Sequence, residues 1–190
     1  MKKQMMKKLV ILDLDETLMY ATSTPKTAAW DFELPPYKVY KRPFLEEFLT
    51  ELKEHYRIAI WSSASDQYVE EMVAHIVPKN FPLCFVWGRS KCTLVRSFEE
   101  INDIDYTDHS LYLKNVKKVY RKGYASKESI LIVDDTQSKL RRNYGNAIYP
   151  TAYRGNPADD ELKKLLRYLI KIKNVSNFRS LEKRNWKSQL

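Results

Sequence analysis

The chain has 190 residues, enough for one sizeable core, and at roughly 100 to 200 residues per domain a single domain over 1–190 is the expectation. With 44% hydrophobic and 30% charged residues it has the composition of a soluble globular protein rather than of a fibre or a disordered tail. Lys and Arg outnumber Asp and Glu by 33 to 24, a formal charge of +9 that suits phosphorylated peptides, nucleic acid or acidic surfaces, or simply a solvated basic face.

The opening MKKQMMKK starts as a signal peptide would, but the apolar run behind it stops at Asp13, short of the apolar region that export requires. No stretch approaches the roughly 18 apolar residues of a membrane span. A cytosolic protein is expected, or a nuclear one if the source is eukaryotic, neither secreted nor tied to a membrane. Cys84 and Cys92 should then stay reduced, and with His55, His75 and His109 scattered they show no zinc-ligand spacing.

Leu9–Leu12 reads as a strand covered on both faces, with Asp13 and Asp15 at its exit. A Thr-, Ala- and Pro-rich stretch follows, a loop or small flap over that exit, and KVY is a short strand. Pro43 opens a helix whose Phe44, Leu45, Phe48, Leu49 and Leu52 recur at helical spacing. Residues 57–61, RIAIW, form a second core strand that leads into Ser62, and Ser65 caps a helix with Val69, Met72, Val73 and Ile76 on one face. Residues 80–112 read as an inserted hairpin or small sheet, polar and turn-like over FEEINDIDYTDHS. LKNVKKVYRKG gives a short basic helix ending near Gly123, and SILIVDD a third buried strand ending in Asp134 and Asp135. Asn156 and Pro157 begin a last helix with Asp159, Asp160 and Glu161 in its first turn and Leu162, Leu165, Leu166, Leu169 and Ile170 facing inward. NFRSLEKRNW is a terminal helical segment. Strands alternating with helices predict an α/β fold with a mainly parallel central sheet flanked by helices, a small β insert and no large cap domain.

In such a sheet ligands bind at the carboxyl ends of the strands, where Asp13, Asp15, Ser62, Asp134 and Asp135 all emerge, with Lys114 just ahead of the basic helix. Four carboxylates at one edge need a cation, and hard oxygen ligands suit Mg²⁺. The four glycines form no phosphate-cradling motif, so carboxylate, metal and lysine would have to handle a phosphate. Asp13 could attack phosphorus, its neighbour Asp15 could move the proton, and Lys114 and Ser62 could hold phosphoryl oxygens. Taken singly, each feature has a plain reading: carboxylates and serines cap turns and helices, Asp134 and Asp135 could cap a helix near Thr136, and a lone lysine is usually solvated.

Taken together, the motifs resemble a known superfamily. DLDETL resembles the D-x-D-x-[TV] signature of haloacid-dehalogenase (HAD) type phosphatases, WSSAS the second motif, Lys114 the third and IVDD the fourth. VYKRPFLEEFL, IWSSASDQYVEEM and LYLKNV are similar to the branch that acts on the C-terminal domain (CTD) of RNA polymerase II, the NLI-interacting-factor-like phosphatases, and in particular to the catalytic domain of the ubiquitin-like-domain-containing CTD phosphatases. The resemblance implies a Rossmann-like HAD fold and a Mg²⁺-dependent phosphoserine or phosphothreonine phosphatase working through an aspartyl-phosphate. It implies Asp13 as nucleophile and metal ligand, Asp15 as acid/base with its backbone carbonyl on the metal, and Ser62 and Lys114 as phosphate-binding groups. Arg42 is implied in a supporting phosphate-binding place, and Asp134 and Asp135 at the metal, with Asp135 the direct ligand. Neither a ubiquitin-like nor a BRCT-type segment is expected in the 190 residues.

Three functions compete at this point. A phosphatase of phosphorylated proteins or peptides fits the lack of any segment long enough for a lid. A phosphatase of small molecules or nucleic-acid ends would use the same residues, and a catalytically silent binding module would need none of them. Nucleic-acid binding on charge alone is not expected, because Lys and Arg read as spread along the chain with no recognition motif. Substrate, source and oligomeric state are left open by the sequence.

Overall fold

A computed structural model describes residues 7–25, 29–98 and 108–190. Leu9–Leu12 (β1) lies in the middle of a five-stranded sheet, followed in the chain by Met19–Thr22 (β2), Phe32–Leu34 (β3), Tyr37–Lys41 (β4), the helix Leu45–His55 (α1) and Arg57–Trp61 (β5). Next come the helix Asp66–Ile76 (α2), Leu83–Trp87 (β6), the hairpin strands Thr93–Phe98 (β7) and Asp108–Leu113 (β8), and the short helix Lys117–Arg121 (α3). Ile130–Val133 (β9), Ala147–Ile148 (β10) and the helix Glu161–Ile172 (α4) complete the core elements.

The main sheet has the order β10-β9-β1-β5-β6, parallel throughout. All four residues of β1 are fully buried because alternate side chains serve two cores. Val10 and Leu12 pack with α1, α2 and α4, while Leu9 and Ile11 pack with Val116, Val119 of α3, Phe85 and Trp87. This double burial explains why the strand is an unbroken apolar run. From β1 the chain builds outward through β5 and β6, then crosses to the other side of β1 to add β9 and β10. The reversal puts a topological switch point at the carboxyl end of β1, where open α/β sheets bind ligands.

Sequence and structure differ at three places. FPLCFVWG, read as part of the insert, contains β6, the edge strand of the main sheet; only Phe85 and Trp87 are buried in it, so it lacks the continuous apolar signature of the inner strands. The insert proper is the β7–β8 hairpin, and most of FEEINDIDYTDHS lies outside the described residues. The loop or small flap expected after Asp15 is indeed a flap, three-stranded and antiparallel in the order β2-β4-β3, with KVY in β4. Phe44 does not join the buried face of α1: it is 39% exposed, in the left-handed region at φ 65°, with the Lys163 ammonium 3.6 Å above its ring. The last helix starts at Glu161, later than Asn156, which frees Asp159 for another purpose. Its buried face includes Tyr168 and Ile172, covered by the terminal Phe178 and Trp186, whose segments are 3-10 turns.

Candidate active site at the carboxylate edge

The register of the sheet assembles the site. Leu12 stands beside Ile60 on one side and Val133 on the other, so Asp13 and Asp134, one residue further, and Ser62, two residues beyond Ile60 and directly after β5, emerge at one edge. The backbone N–H of Asp13 donates to Val133 O at 2.9 Å and that of Ser62 to Trp87 O at 2.9 Å, carrying the ladder one residue beyond each strand. Lys114 arrives from the end of β8 and is fixed from two sides: its N–H donates to Lys139 O at 3.0 Å, and the buried Asn143 donates its side-chain amide to Lys114 O.

Asp13, Lys114 and Asp134 are each at most 1% exposed. The Lys114 ammonium donates to Asp13 Oδ1 and, at 2.5 Å, to Asp134 Oδ2. Burial works against the Lys114 charge, but Asp13 and Asp134 outweigh it and raise its pKa. The second oxygens are also engaged: Thr17 Oγ1 lies 3.5 Å from Asp13 Oδ2, and Thr136 N–H donates to Asp134 Oδ1 at 2.8 Å. Thr17 Oγ1 further accepts from Asp135 N–H at 3.3 Å, joining the first and last motifs.

Asp15 faces elsewhere. Its Oδ1 accepts a 2.6 Å bond from the Tyr68 hydroxyl and its Oδ2 a 3.3 Å bond from Ser62 Oγ, which itself accepts from Ala64 N–H at 3.0 Å. Burial, then the charge of Asp13, raises the Asp15 carboxyl, with the Tyr68 bond pulling the other way. Asp15 is thus a carboxyl that holds a proton more readily than usual, and it borders an open cleft lined by Glu16, Tyr37, Tyr68 and Arg89.

Asp13, Asp134 and Asp135 each offer an oxygen within 4.8 Å of the others, a set of hard ligands at which Lys114 offsets only part of the negative charge. Burial and the charge of Asp13, in that order, push Asp135 up and push Asp134 up to about 6. These shifts are what a divalent cation would relieve, so the residues fit one. The side chain of Asp15 is not part of this set, which leaves only its backbone carbonyl for the metal role that the resemblance implied.

Arg42 stands outside this set of carboxylates. Expected beside the phosphate, it is 1% exposed and its guanidinium is committed elsewhere. Nε and Nη2 grip Asp159 at 2.8 and 2.9 Å, Nη1 donates to Thr17 O at 2.9 Å, and Nη2 to Thr151 O at 2.8 Å. It braces the loop that carries Asp13, Asp15 and Thr17 against the chain before α4. Sequence reading missed Asp159, Tyr68, Asn143 and Lys139, each of which looks like an ordinary helix or turn residue until the fold brings it to the site.

Comparison with known proteins follows from this geometry. Residues 8–179 match the family model described as NLI interacting factor-like phosphatase, and the chain belongs to that family. It is 28% identical over 193 residues to ubiquitin-like domain-containing CTD phosphatase 1 of Gallus gallus, covering 97% of this chain and 55% of that protein. It is 30% identical over 192 residues to an Arabidopsis thaliana ubiquitin-like domain-containing CTD phosphatase, covering 96% and 51%. Nuclear envelope morphology protein 1 of Saccharomyces cerevisiae is 26% identical over 190 residues, covering 92% and 41%. The chain thus spans about half the length of these relatives. Among solved structures, that of Fcp1, an essential RNA polymerase II CTD phosphatase, matches with a TM-score of 0.63 at 17% identity, covering 88% of this chain and 62% of that one, a likeness of fold. Among the described residues no helix is long and apolar enough to cross a membrane.

Two outcomes are expected. Arg42→Met leaves the partly buried Asp159 without its cation and two carbonyls without donors, so urea unfolding should show a loss of about 3 kcal/mol. The raised carboxyls bind protons more tightly folded than unfolded, so their contribution to stability is fully present below the ordinary Asp pKa and is lost as pH rises through about 6. Thermal melts of metal-free protein should therefore show Tm falling between pH 5 and 7, and Mg²⁺ should raise Tm more at pH 7 than at pH 5.

Proposed function

We propose that this family member is a Mg²⁺-dependent phosphatase that hydrolyses phosphoserine or phosphothreonine in protein substrates through an aspartyl-phosphate. The observation that carries the reading is the division between two carboxyls two residues apart: Asp13 clamped by Lys114, and Asp15 turned onto Ser62 and Tyr68 with its pKa raised. An Asp13 oxygen forms the bond to phosphorus as the bond to the leaving oxygen breaks, and Asp15 gives its proton to that oxygen. Asp15 then takes a proton from the water that attacks phosphorus, which releases inorganic phosphate and restores Asp13. Lys114 and the Ser62 hydroxyl hold phosphoryl oxygens, Ser62 exchanging its bond to Asp15 for one to phosphate. Mg²⁺, held by Asp13, Asp135 and the Asp15 carbonyl with Asp134 alongside, would neutralise charge on the phosphoryl group.

A macromolecular substrate is supported by the surroundings of the site. The flap and the β7–β8 hairpin are small, and the cleft beside Asp15 stays open. Relatives named as CTD phosphatases support the same substrate class.

The kinetic test uses an aryl phosphate with Mg²⁺ or EDTA. Turnover should need Mg²⁺, fall about 10³-fold or more in Asp13→Asn, and decline as rising pH deprotonates Asp15. A phosphopeptide should saturate at lower concentration than sugar phosphates, nucleotides or 3′-phosphorylated DNA. Equal or better turnover of those small or nucleic-acid substrates would replace the protein substrate. Folded, Mg²⁺-loaded protein without any turnover would leave a binding module.

A further inference from the structure

The positive charge of this chain is concentrated on three segments. Residues 87–98, 114–127 and 136–149 hold twelve of the 33 Lys and Arg and none of the 24 Asp and Glu. The rest of the chain keeps 21 basic against 24 acidic residues, so the whole net charge of +9 originates in these segments. Acidic stretches separate them, residues 99–113 and 128–135, which is why the basic residues look dispersed in the sequence.

The fold laces the three together. Asn143 donates its amide to Lys114 O and accepts from Val116 N–H at 2.9 Å, which brings the residue before Lys117 against the residue after Arg142. On the other side of α3, the Lys118 ammonium donates to Lys91 O and Cys92 O at 2.8 Å each, tying in the 3-10 turn Arg89–Lys91. Lys91, Lys117, Arg121, Lys122, Arg141 and Arg142 are exposed, and none of them is in an ion pair among the described residues. The track begins at Lys114, against Asp13 and Asp134. It ends past α3 near Tyr124, whose carbonyl accepts from Arg57 at the opposite end of β5. At about 3.3 Å per residue, the five-residue depth of the sheet corresponds to about five residues of extended peptide.

We propose that this track binds acidic or additionally phosphorylated residues on one side of the scissile phosphate, so that the protein selects acidic phosphopeptides. The proposal rests on the phosphopeptide reading of the site. A peptide presents a phosphomonoester anywhere along its length and can run from the site down the track, whereas the internal phosphates of a nucleic acid are diesters. Single-stranded nucleic acid is also held by stacking on exposed aromatic rings, and Tyr144 is the one exposed large aromatic of these segments among the described residues.

The experiment compares phosphoserine peptides that differ only in five flanking residues, Glu or Gln, placed before or after the phosphoserine. One acidic orientation should give about tenfold higher kcat/KM at low salt, mainly through KM, and lose the advantage near 0.5 M salt, since exposed pairs are individually weak and screened. Lys117→Glu/Arg121→Glu/Arg142→Glu should abolish the preference and leave aryl-phosphate turnover unchanged. Equal kcat/KM for acidic and neutral peptides, or a preference that survives the charge reversal, overturns the proposal. If the triple variant does not fold, Arg142→Glu with the salt titration decides in the same way. Fluorescence anisotropy of unphosphorylated oligo-glutamate separates the two readings. If no phosphopeptide is hydrolysed yet oligo-glutamate binds and reversal removes it, the substrate reading fails and the track stands. A single-stranded oligonucleotide that displaces oligo-glutamate and binds more tightly would make the track a nucleic-acid site and overturn the proposal.

Discussion

A buried ammonium between two buried carboxylates is the constraint around which the rest of the molecule is arranged. Lys114 meets Asp13 and Asp134 where none of the three is more than 1% exposed, so each charge depends on the others for what water would have supplied. Burial, and after it the negative charge that one cation leaves uncompensated, keeps Asp15, Asp134 and Asp135 protonated to higher pH than usual. In the phosphatase we propose, that tension is useful: the clustered negative charge is what a metal and a proton on Asp15 would relieve.

Such an arrangement requires that four chain segments reach one edge without drifting. The parallel register of β1 with β5 and β9 aligns the exits, and the crossing from β6 to β9 brings the Lys114 segment over the other face. Two devices outside the sheet complete it. Asn143 fixes the backbone on both sides of Lys114, and Arg42 ties the loop after β1 to Asp159 ahead of α4. The same Asn143 contacts that place Lys114 also draw the basic segments into one surface, so the charge of the site and the charge of its approach share a scaffold.

The inner strands were legible because burial on both faces forces an unbroken apolar run, as in LVIL, IAIW and ILIV. Asp13, Asp15, Ser62, Asp134 and Asp135 could be picked out only as a set, because they follow three such runs and so share one sheet edge, whereas Lys114 was singled out by its place ahead of the basic helix and by the family resemblance. β6 was missed because an edge strand needs only Phe85 and Trp87 inside. The clamp of Arg42 on Asp159 was not legible, because a buried arginine reads from sequence like a ligand-binding one and only the position of Asp159 shows its partner. Tyr68 was invisible for a related reason, since at i+3 from the Ser65 cap it resembles any residue of an amphipathic helix. The basic track depends on hydrogen bonds between segments about thirty residues apart, and no local pattern encodes them.

The account stands or falls on whether Asp13 becomes phosphorylated. The direct measurement is peptide mapping by mass spectrometry of the Asp15→Asn protein, quenched in acid after reaction with an aryl phosphate whose leaving group needs no proton. The account predicts a phosphoryl group on the peptide containing Asp13, accumulated because the variant lacks the base that activates water. An unmodified Asp13 in protein that still releases the aryl group, or a phosphoryl group on another residue, would contradict it.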